Sequence, residues 1–241
     1  MLRRALKAEN IKLKHSPIWL AFIIIPLISA IMGSFNYYGN REILTSQWYS
    51  LWTQHTIFYC YLCFPALVGV YCSTICRLEH INNNWKSVLA EPIPLRTIYL
   101  AKLLTTMKMV LGTQIFIGIL FWISGKVLGF SVTLPKELIS WLVLGTVAGG
   151  VMVAFQLGIS LCIRSFAVPI GIALIGGIAG LAARAAGVGL LFPYSLFAIG
   201  MCANSPETQL ECPIFIFMGI CLGFIGGFGM IGIKRMKKGM A

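Results

Sequence analysis

Three side chains of types that bind metal ions, two cysteines and one histidine, recur at helical spacing in this chain. Cys72, Cys76 and His80 follow one another at intervals of four residues, so one face of a helix would present all three. A closed zinc site needs four ligands, and we identify no fourth here. Cysteine is also a common small apolar residue of buried helices. We therefore predict no metal site.

Two further cysteine pairs have spacings that are known from redox chemistry. Cys60-x-x-Cys63 has the spacing of a thiol–disulfide pair, but it lies within an apolar stretch and does not follow a strand, so it carries little weight. Cys202 and Cys212 bracket the last loop before the final apolar stretch. They could form a disulfide there.

No motif in this chain would bind a nucleotide. A phosphate-binding loop needs two glycines in a fixed frame, followed by Lys and then Ser or Thr. The candidate pair Gly125-Lys126 lacks the first glycine and is followed by Val127. We therefore predict no ATPase site and no bound cofactor, so any ATP energy would come from a partner chain. No catalytic residue is predicted either, because no carboxylate lies deep inside an apolar stretch.

The composition is that of a membrane protein. Of 241 residues, 58% are hydrophobic and 11% are charged, whereas a soluble domain carries about 25% charged residues. Six stretches are close to the ~20 apolar residues that cross the hydrocarbon core. They are 17–35, 56–76, 103–124, 137–163, 167–183 and 213–233. We predict a single all-α membrane domain over 1–241 with six transmembrane helices.

The positions of lysine and arginine predict the orientation of these spans. Fifteen of the nineteen basic residues lie in the N-terminal segment, after the second span, after the fourth span or at the C-terminus. Three, namely Arg41, Lys126 and Lys136, lie in the opposite loops. Positively charged loops stay in the cytoplasm, so both termini are predicted to be cytoplasmic. This distribution explains the net charge of +12 better than nucleic-acid binding does.

Three segments are predicted to lie on the membrane surface or to enter it only partly. Residues 1–16 form a basic interfacial helix on the cytoplasmic side. Residues 78–89 have apolar positions at helical spacing and end before a pair of prolines, which predicts a second cytoplasmic helix. Residues 187–203 are apolar but interrupted by Pro193, so we expect a re-entrant hairpin on the outer side before the last span.

Six polar or aromatic side chains are candidates for contact with a substrate or lipid. Gln114 and Gln156 lie deep in spans and would either bridge helices or line a substrate path. Arg184 would either extend to lipid headgroups or guide an anionic group. Aromatic residues of the first outer loop would form an interfacial belt or meet an amphipathic substrate. The candidates of this aromatic group are Trp48, Tyr49 and Trp52.

The segment between the second and third spans resembles the intracellular loop of type-2 ABC exporter permeases. It has an acidic start at Glu79, a helical stretch, two prolines and an apolar run that ends at Lys102. In that family this loop, here 77–102, contains a coupling helix that docks on the ATPase. The resemblance implies that five residues contact or orient the ATPase. They are Glu79, His80, Asn83, Trp85 and Lys86.

The opening Ala8-Glu9-x-x-Lys12 and the compact length are similar to permease subunits of lantibiotic self-immunity or resistance exporters, and to related bacitracin-resistance permeases. The resemblance implies two copies of an ABC ATPase, which binds ATP and magnesium, and a second permease subunit, identical or paralogous. The implied substrate is an amphipathic antimicrobial peptide that is expelled from the membrane. The alternatives are another amphipathic drug or a lipid, or a non-transporting scaffold or sensor. Nucleic acid is not an expected partner.

Overall fold

The fold was analysed in a computed structural model, which describes residues 1–14, 16–81, 84–85, 88, 92–204 and 210–238. The regular elements of these residues are all helical. In chain order they are α1 (Leu2–Lys14), α2 (Ile18–Gly39), α3 (Gln47–Phe58), a π-helical turn (Tyr59–Cys63), α4 (Phe64–His80), α5 (Leu95–Val127), α6 (Leu138–Cys162), α7 (Ala167–Ala185), a 3-10 turn (Gly189–Leu191), α8 (Ser195–Gly200) and α9 (Ile214–Lys238).

Six helical segments of the described chain are long and apolar enough to cross a membrane. They are α2, the continuous segment from α3 to α4, and α5, α6, α7 and α9. This agrees in number with the six predicted spans. Lys108 bonds Asn10, and His80 bonds the Ser160 carbonyl, so the helix ends that carry the basic segments meet. We call this the basic end of the bundle and the other the opposite end.

The second span is longer than its apolar stretch indicates. It runs without a break from Gln47 to His80, a length of 34 residues, or about 51 Å. The residues before 56, which were expected in a loop, are therefore helical, while the membrane-crossing range 56–76 stays a prediction. Trp48 and Trp52 are only 3% and 1% exposed, and their burial holds this partly polar segment in a helix.

The helix of the third span also begins before the predicted range 103–124. It starts at Leu95, so the last eight residues of the predicted coupling loop 77–102 belong to α5. The first four residues of that loop complete α4, which leaves 81–94 as the connection. Within this connection Trp85 and Val88 have helical backbone, as the predicted surface helix requires.

A proline explains the π-helical turn within the second span. Pro65 has no backbone N–H, and in a regular helix its ring would clash with the carbonyl four residues earlier, that of Tyr61. The turn instead closes with the Phe64 N–H bonded to the Tyr59 carbonyl, which widens the backbone by one residue. Gly177 of α7 lies against the Tyr61 carbonyl and the Pro65 ring. The second span therefore contacts α7 at its point of irregularity.

Burial divides the spans into a central and a peripheral set. The segment from α3 to α4, together with α5 and α6, has half or more of its residues buried within the chain, whereas α2, α7 and α9 have less than a third of theirs buried. The segment 187–203 adds a 3-10 turn and α8, all six residues of which are buried. It packs beneath Trp52, whose Nε1 donates to the Met201 carbonyl at 2.8 Å. Whether this segment re-enters the membrane stays a prediction.

The predicted N-terminal helix forms, and the face that it turns toward the bundle is only partly apolar. Among the residues of an apolar face, Leu13 is buried and Leu2 is 36% exposed. Glu9, an acidic residue, is buried instead, and α1 packs against α5. The inner face of α1 is therefore set by a charged contact, which we describe next.

Candidate functional site

Four charged side chains meet at the basic end of the bundle, and we call them the ion-pair cluster. They are Glu9 and Lys12 of α1, Glu79 of α4 and Lys102 of α5. Glu79 Oε1 lies 2.6 Å from both Lys102 Nζ and Lys12 Nζ. Glu9 Oε1 lies 3.1 Å from Lys102 Nζ and 2.9 Å from Lys12 Nζ. Two carboxylates and two ammonium groups thus link three helices with no net charge.

Burial makes this cluster energetically important. Lys102 is 0% exposed, Glu79 2% and Glu9 5%. A buried charge is tolerated only when opposite charges and hydrogen bonds replace its water shell. Lys102 meets this condition with both carboxylates and with the Ile75 carbonyl, at 3.1 Å. Removing one partner would leave a buried charge without compensation, so the cluster fixes the relative positions of α1, α4 and α5.

His80 and Trp85 extend the cluster toward α6. The Trp85 Nε1–H donates to His80 Nδ1 at 3.2 Å, and His80 Nε2 lies 2.9 Å from the Ser160 carbonyl oxygen. A ring that accepts at Nδ1 and donates from Nε2 is a neutral histidine of one tautomer. Lys102 Nζ lies 5.9 Å from the centre of the Trp85 ring, on its face. Trp85 therefore anchors the connection after α4 to Lys102 of α5 and to His80, which in turn contacts α6.

A second polar contact lies at the opposite end, around Arg184 of α7. Its guanidinium contacts Glu211 Oε1 at 2.8 Å, the Ala203 carbonyl at 2.6 Å and the Tyr61 hydroxyl at 3.3 Å. The side chain is 14% exposed. Arg184 thus joins α7 to the π-helical turn and to both sides of the loop before α9. These contacts account for the guanidinium within the protein, and a contact of Arg184 with lipid or with an anionic group of a substrate stays a prediction.

Comparison with known families decides the class of this bundle. The sequence model of one family, described as ABC-2 family transporter protein, matches residues 5–180 of this chain. The matched residues include the whole ion-pair cluster. No curated protein matches the chain. This chain belongs to the ABC-2 transporter family. An ABC-2 permease is a transmembrane subunit without an ATPase of its own, and membership implies an ABC ATPase as partner.

The five residues expected to couple the permease to its ATPase differ in position. Glu79 and His80 point inward, bonded to Lys102 and to α6, so any effect of theirs on the ATPase would act through positioning. Trp85 is half-buried against His80. Asn83 and Lys86 lie outside the described residues. A role of these five residues in coupling stays a prediction.

Three members of the ion-pair cluster were not recognised as a site from the sequence. From the sequence, Lys12 and Lys102 contribute to the charge distribution that predicts membrane orientation, and Glu9 belongs to the opening motif of the family resemblance. The signal was present at Lys102, which stands between Ala101 and Leu103 in an apolar run. A lysine at such a position is buried and needs an acidic partner.

The two deep glutamines of the permease bridge helices. Gln114 accepts from the Tyr59 hydroxyl at 2.8 Å and donates to Met201 Sδ at 3.1 Å. Gln156 accepts from the Tyr194 hydroxyl at 2.8 Å and donates to the Pro169 carbonyl. Both side chains are 1% exposed or less. Their hydrogen bonds account for their presence, while a role in a substrate path stays a prediction.

The three aromatic candidates of the permease lie in α3 and pack inward. Trp48 Nε1 donates to the Val132 carbonyl at 2.9 Å, and the Trp52 ring stacks on Trp141 with ring centres 4.9 Å apart. The Tyr49 hydroxyl donates to Glu137 Oε2 at 3.1 Å. Trp48 and Tyr49 also line a cavity of about 480 Å³ between the start of α3 and residues 132–137, whereas Trp52 is buried behind them. Substrate contact by these residues stays a prediction.

The cysteines of the permease are thiols in this structure. Cys202 and Cys212 are both free, so the disulfide considered from their spacing is not formed. Cys72 and Cys76 are buried within α4. Among the described residues, no group of three histidine, cysteine or acidic side chains is arranged to hold a metal ion.

These thiols are expected to differ in reactivity. Cys162 is exposed and Cys202 is buried, and burial raises the pKa of the Cys202 thiol. A raised pKa lowers the thiolate fraction at neutral pH, so iodoacetamide should modify Cys162 at least about tenfold faster than Cys202. Labelling of Cys202 should increase as the pH rises above the usual thiol range. Peptide mass spectrometry after timed labelling measures both rates, and equal rates at pH 7 would contradict the structure.

Proposed function

We propose that this permease is the membrane subunit of an exporter that expels an amphipathic antimicrobial peptide, of the lantibiotic kind, from a bacterial plasma membrane. Two copies of an ABC ATPase bind ATP and magnesium at the basic end, which faces the cytoplasm together with both termini. A second permease subunit, identical or paralogous, completes the assembly. ATP binding closes the ATPase pair, and the connection between α4 and α5 transmits this movement to the spans.

The buried ion-pair cluster is the observation that supports this coupling. Glu79 lies directly before the connection 81–94, and Lys102 lies about two turns after it. Their contact joins the two ends of the connection, and Glu9 and Lys12 add α1 to the same unit. A force on the connection then moves α1, α4 and α5 together.

The surface beside the cluster has the chemistry of a docking site. Leu78 and Ile81 flank the inward-pointing Glu79 and His80, and they are 43% and 42% exposed. The helix from Gln47 to His80 is about 51 Å long, well beyond the ~30 Å of the hydrocarbon core, so its ends extend into water or headgroups. Apolar side chains that are exposed outside the hydrocarbon core of the membrane are typical of sites that bind another protein. These two residues therefore supply apolar contacts to the ATPase.

The packing of the interior supports a substrate taken from the membrane. Gln114 and Gln156 are fully engaged with neighbouring helices, and the aromatic residues around Trp52 fill the space at the opposite end. An amphipathic peptide that is already inserted at the interface does not need a wide aqueous channel. It needs a surface that moves relative to the bilayer when the ATPase closes.

Replacing Ile81 by glutamate is the test of this proposal. The tagged permease is purified in mild detergent from its own host, and mass spectrometry quantifies the proteins that accompany it. We expect a stoichiometric ATP-binding protein with the native chain, and a loss of at least about tenfold with Ile81→Glu, because a charge replaces an apolar contact at the centre of the interface. The tolerance of the host to the peptide should fall in parallel.

Val132→Glu is the matched control, since Val132 is an apolar residue, 54% exposed, at the opposite end. This variant should keep the ATP-binding protein. If the native permease comes out alone in a detergent that preserves a known ABC complex, the coupling proposal is wrong. If the ATPase is present but deletion of the permease leaves tolerance to lantibiotics unchanged, the proposed substrate is wrong while the transporter class stands.

A further inference from the structure

A lateral groove lies between α2 and α5 at the opposite end of the bundle. Its volume is about 450 Å³, which is within the range of small-molecule sites. Leu27, Ile31 and Phe35 form one wall, and Leu120 and Ile123 form the other. Both helices are exposed along it, so the groove opens sideways toward lipid.

The depth of the groove corresponds to one leaflet. It extends along α2 from Tyr38, at the helix end, to Leu27. These residues are eleven positions apart, or about 16 Å along the helix axis. Half of the hydrocarbon core is about 15 Å thick. A single acyl chain would therefore fit the groove from the membrane interface to the bilayer centre.

The groove is more polar near its rim and apolar below, as a phospholipid is polar at its ester groups and apolar along its acyl chains. Two hydroxyl side chains, Ser34 and Ser124, line it about one turn below the rim residues Tyr38 and Val127. Below them the lining is aliphatic. A phospholipid presents its ester groups at the same depth, between the phosphate and the acyl chains. The Ser34 hydroxyl is hydrogen-bonded to His55 Nε2 at 3.1 Å, so Ser124 supplies the hydroxyl that is placed to contact the ester region.

Two cationic residues lie at the ends of the two helices that border the groove, although neither is among its lining residues. The Arg41 guanidinium carbon is 4.9 Å from the centre of the Tyr38 ring, and Lys126 adjoins Val127 in the last turn of α5. Within the described chain neither cation has an ion-pair partner, although Glu42 follows Arg41 in sequence. They are two of the three basic residues of the loops at this end, whose positive charge is otherwise low. Their position fits a phosphate group.

We propose that this groove is a binding site for an anionic phospholipid, with one acyl chain between α2 and α5 and the phosphate at Arg41 and Lys126. The site is separate from the ion-pair cluster, which lies at the basic end of the bundle. It also differs from general lipid solvation, which would not distinguish headgroups. The proposal rests on the order of cations, hydroxyls and apolar residues along one groove.

Competition between lipids tests the site. The purified permease is placed in nanodiscs of phosphatidylcholine with a small fraction of phosphatidylglycerol, and native mass spectrometry measures the ratio of the two lipids that stay bound. We expect enrichment of phosphatidylglycerol over its share in the nanodisc. Arg41→Gln and Lys126→Gln should each lower this enrichment about fivefold, because a cation at the surface contributes about 1 kcal/mol to an anionic lipid.

Lys136→Gln is the matched control, since Lys136 is an exposed cation at the same end that lines a different cavity, beside Trp48 and Tyr49 of α3. It should keep the enrichment. Ser124→Phe fills the groove and should remove the tightly bound lipid of either headgroup. No enrichment with the native chain, an equal loss with Lys136→Gln, or full enrichment with the double variant Arg41→Gln and Lys126→Gln would each overturn the proposal.

Discussion

Replacing Glu79 by alanine should destabilise the bundle by about 3 to 5 kcal/mol, because it removes one of two carboxylates that compensate a fully buried lysine. Thermal unfolding in detergent, followed by fluorescence-detected gel filtration, is the measurement. The apparent melting temperature should fall by about 6 °C or more. Glu79→Gln should have a smaller effect, since an amide still accepts a hydrogen bond from Lys102 but provides no charge.

Two further variants separate charge compensation from simple loss of packing. Glu42→Ala removes an exposed glutamate at the opposite end and should change stability by no more than about 0.5 kcal/mol. Combining Glu79→Ala with Lys102→Met removes both charges of the closest pair and should recover part of the loss. The cluster would be unimportant if Glu79→Ala were as mild as Glu42→Ala. Full additivity in the double variant would show that the two charges do not interact.

Gly177→Ala should also be strongly destabilising, by about 3 kcal/mol. The new methyl group would overlap the Tyr61 carbonyl oxygen and lie 2.8 Å from Pro65 Cγ. Neither neighbour can rotate away, because one is backbone and the other is a proline ring. Overpacking of this kind separates the two helices or distorts them. The same unfolding assay measures the change.

Gly171→Ala provides the control within the same helix. Nothing lies within 4 Å of a methyl group at Gly171, and alanine is favoured over glycine in a helix by about 0.5 to 1 kcal/mol. This variant should therefore be neutral or slightly stabilising. If Gly177→Ala behaved in the same way, α7 would not pack against the π-helical turn as described.

The apolar stretches predicted the number and order of the spans because hydrophobic length decides which segments cross a bilayer. Span ends were less predictable. The helical start of the second segment was not predicted, because Gln47, Ser50 and Gln54 are residue types typical of loops. The burial of Trp48 and Trp52 holds these residues in a helix. Such burial depends on α5 and α6, which are far away in sequence. The π-helical turn had a local signal in Pro65.

The candidate site was predictable only in part. The family resemblance drew attention to Glu79, His80 and Trp85, and the structure places these three beside one another. Their partners were not predictable, because Glu9 and Lys102 are 93 residues apart and share no local pattern. Arg184 was recognised as unusual, but its partners Glu211 and Tyr61 are likewise distant in sequence.

The sequence separation within the ion-pair cluster has a consequence for biosynthesis. Glu9 leaves the ribosome 93 residues before Lys102, which at 5 to 20 residues per second is roughly 5 to 19 seconds. Glu79 also precedes Lys102. Both carboxylates are therefore synthesised before the lysine that they compensate. The nascent chain thus never has to bury its most enclosed cation before a counter-charge has been made.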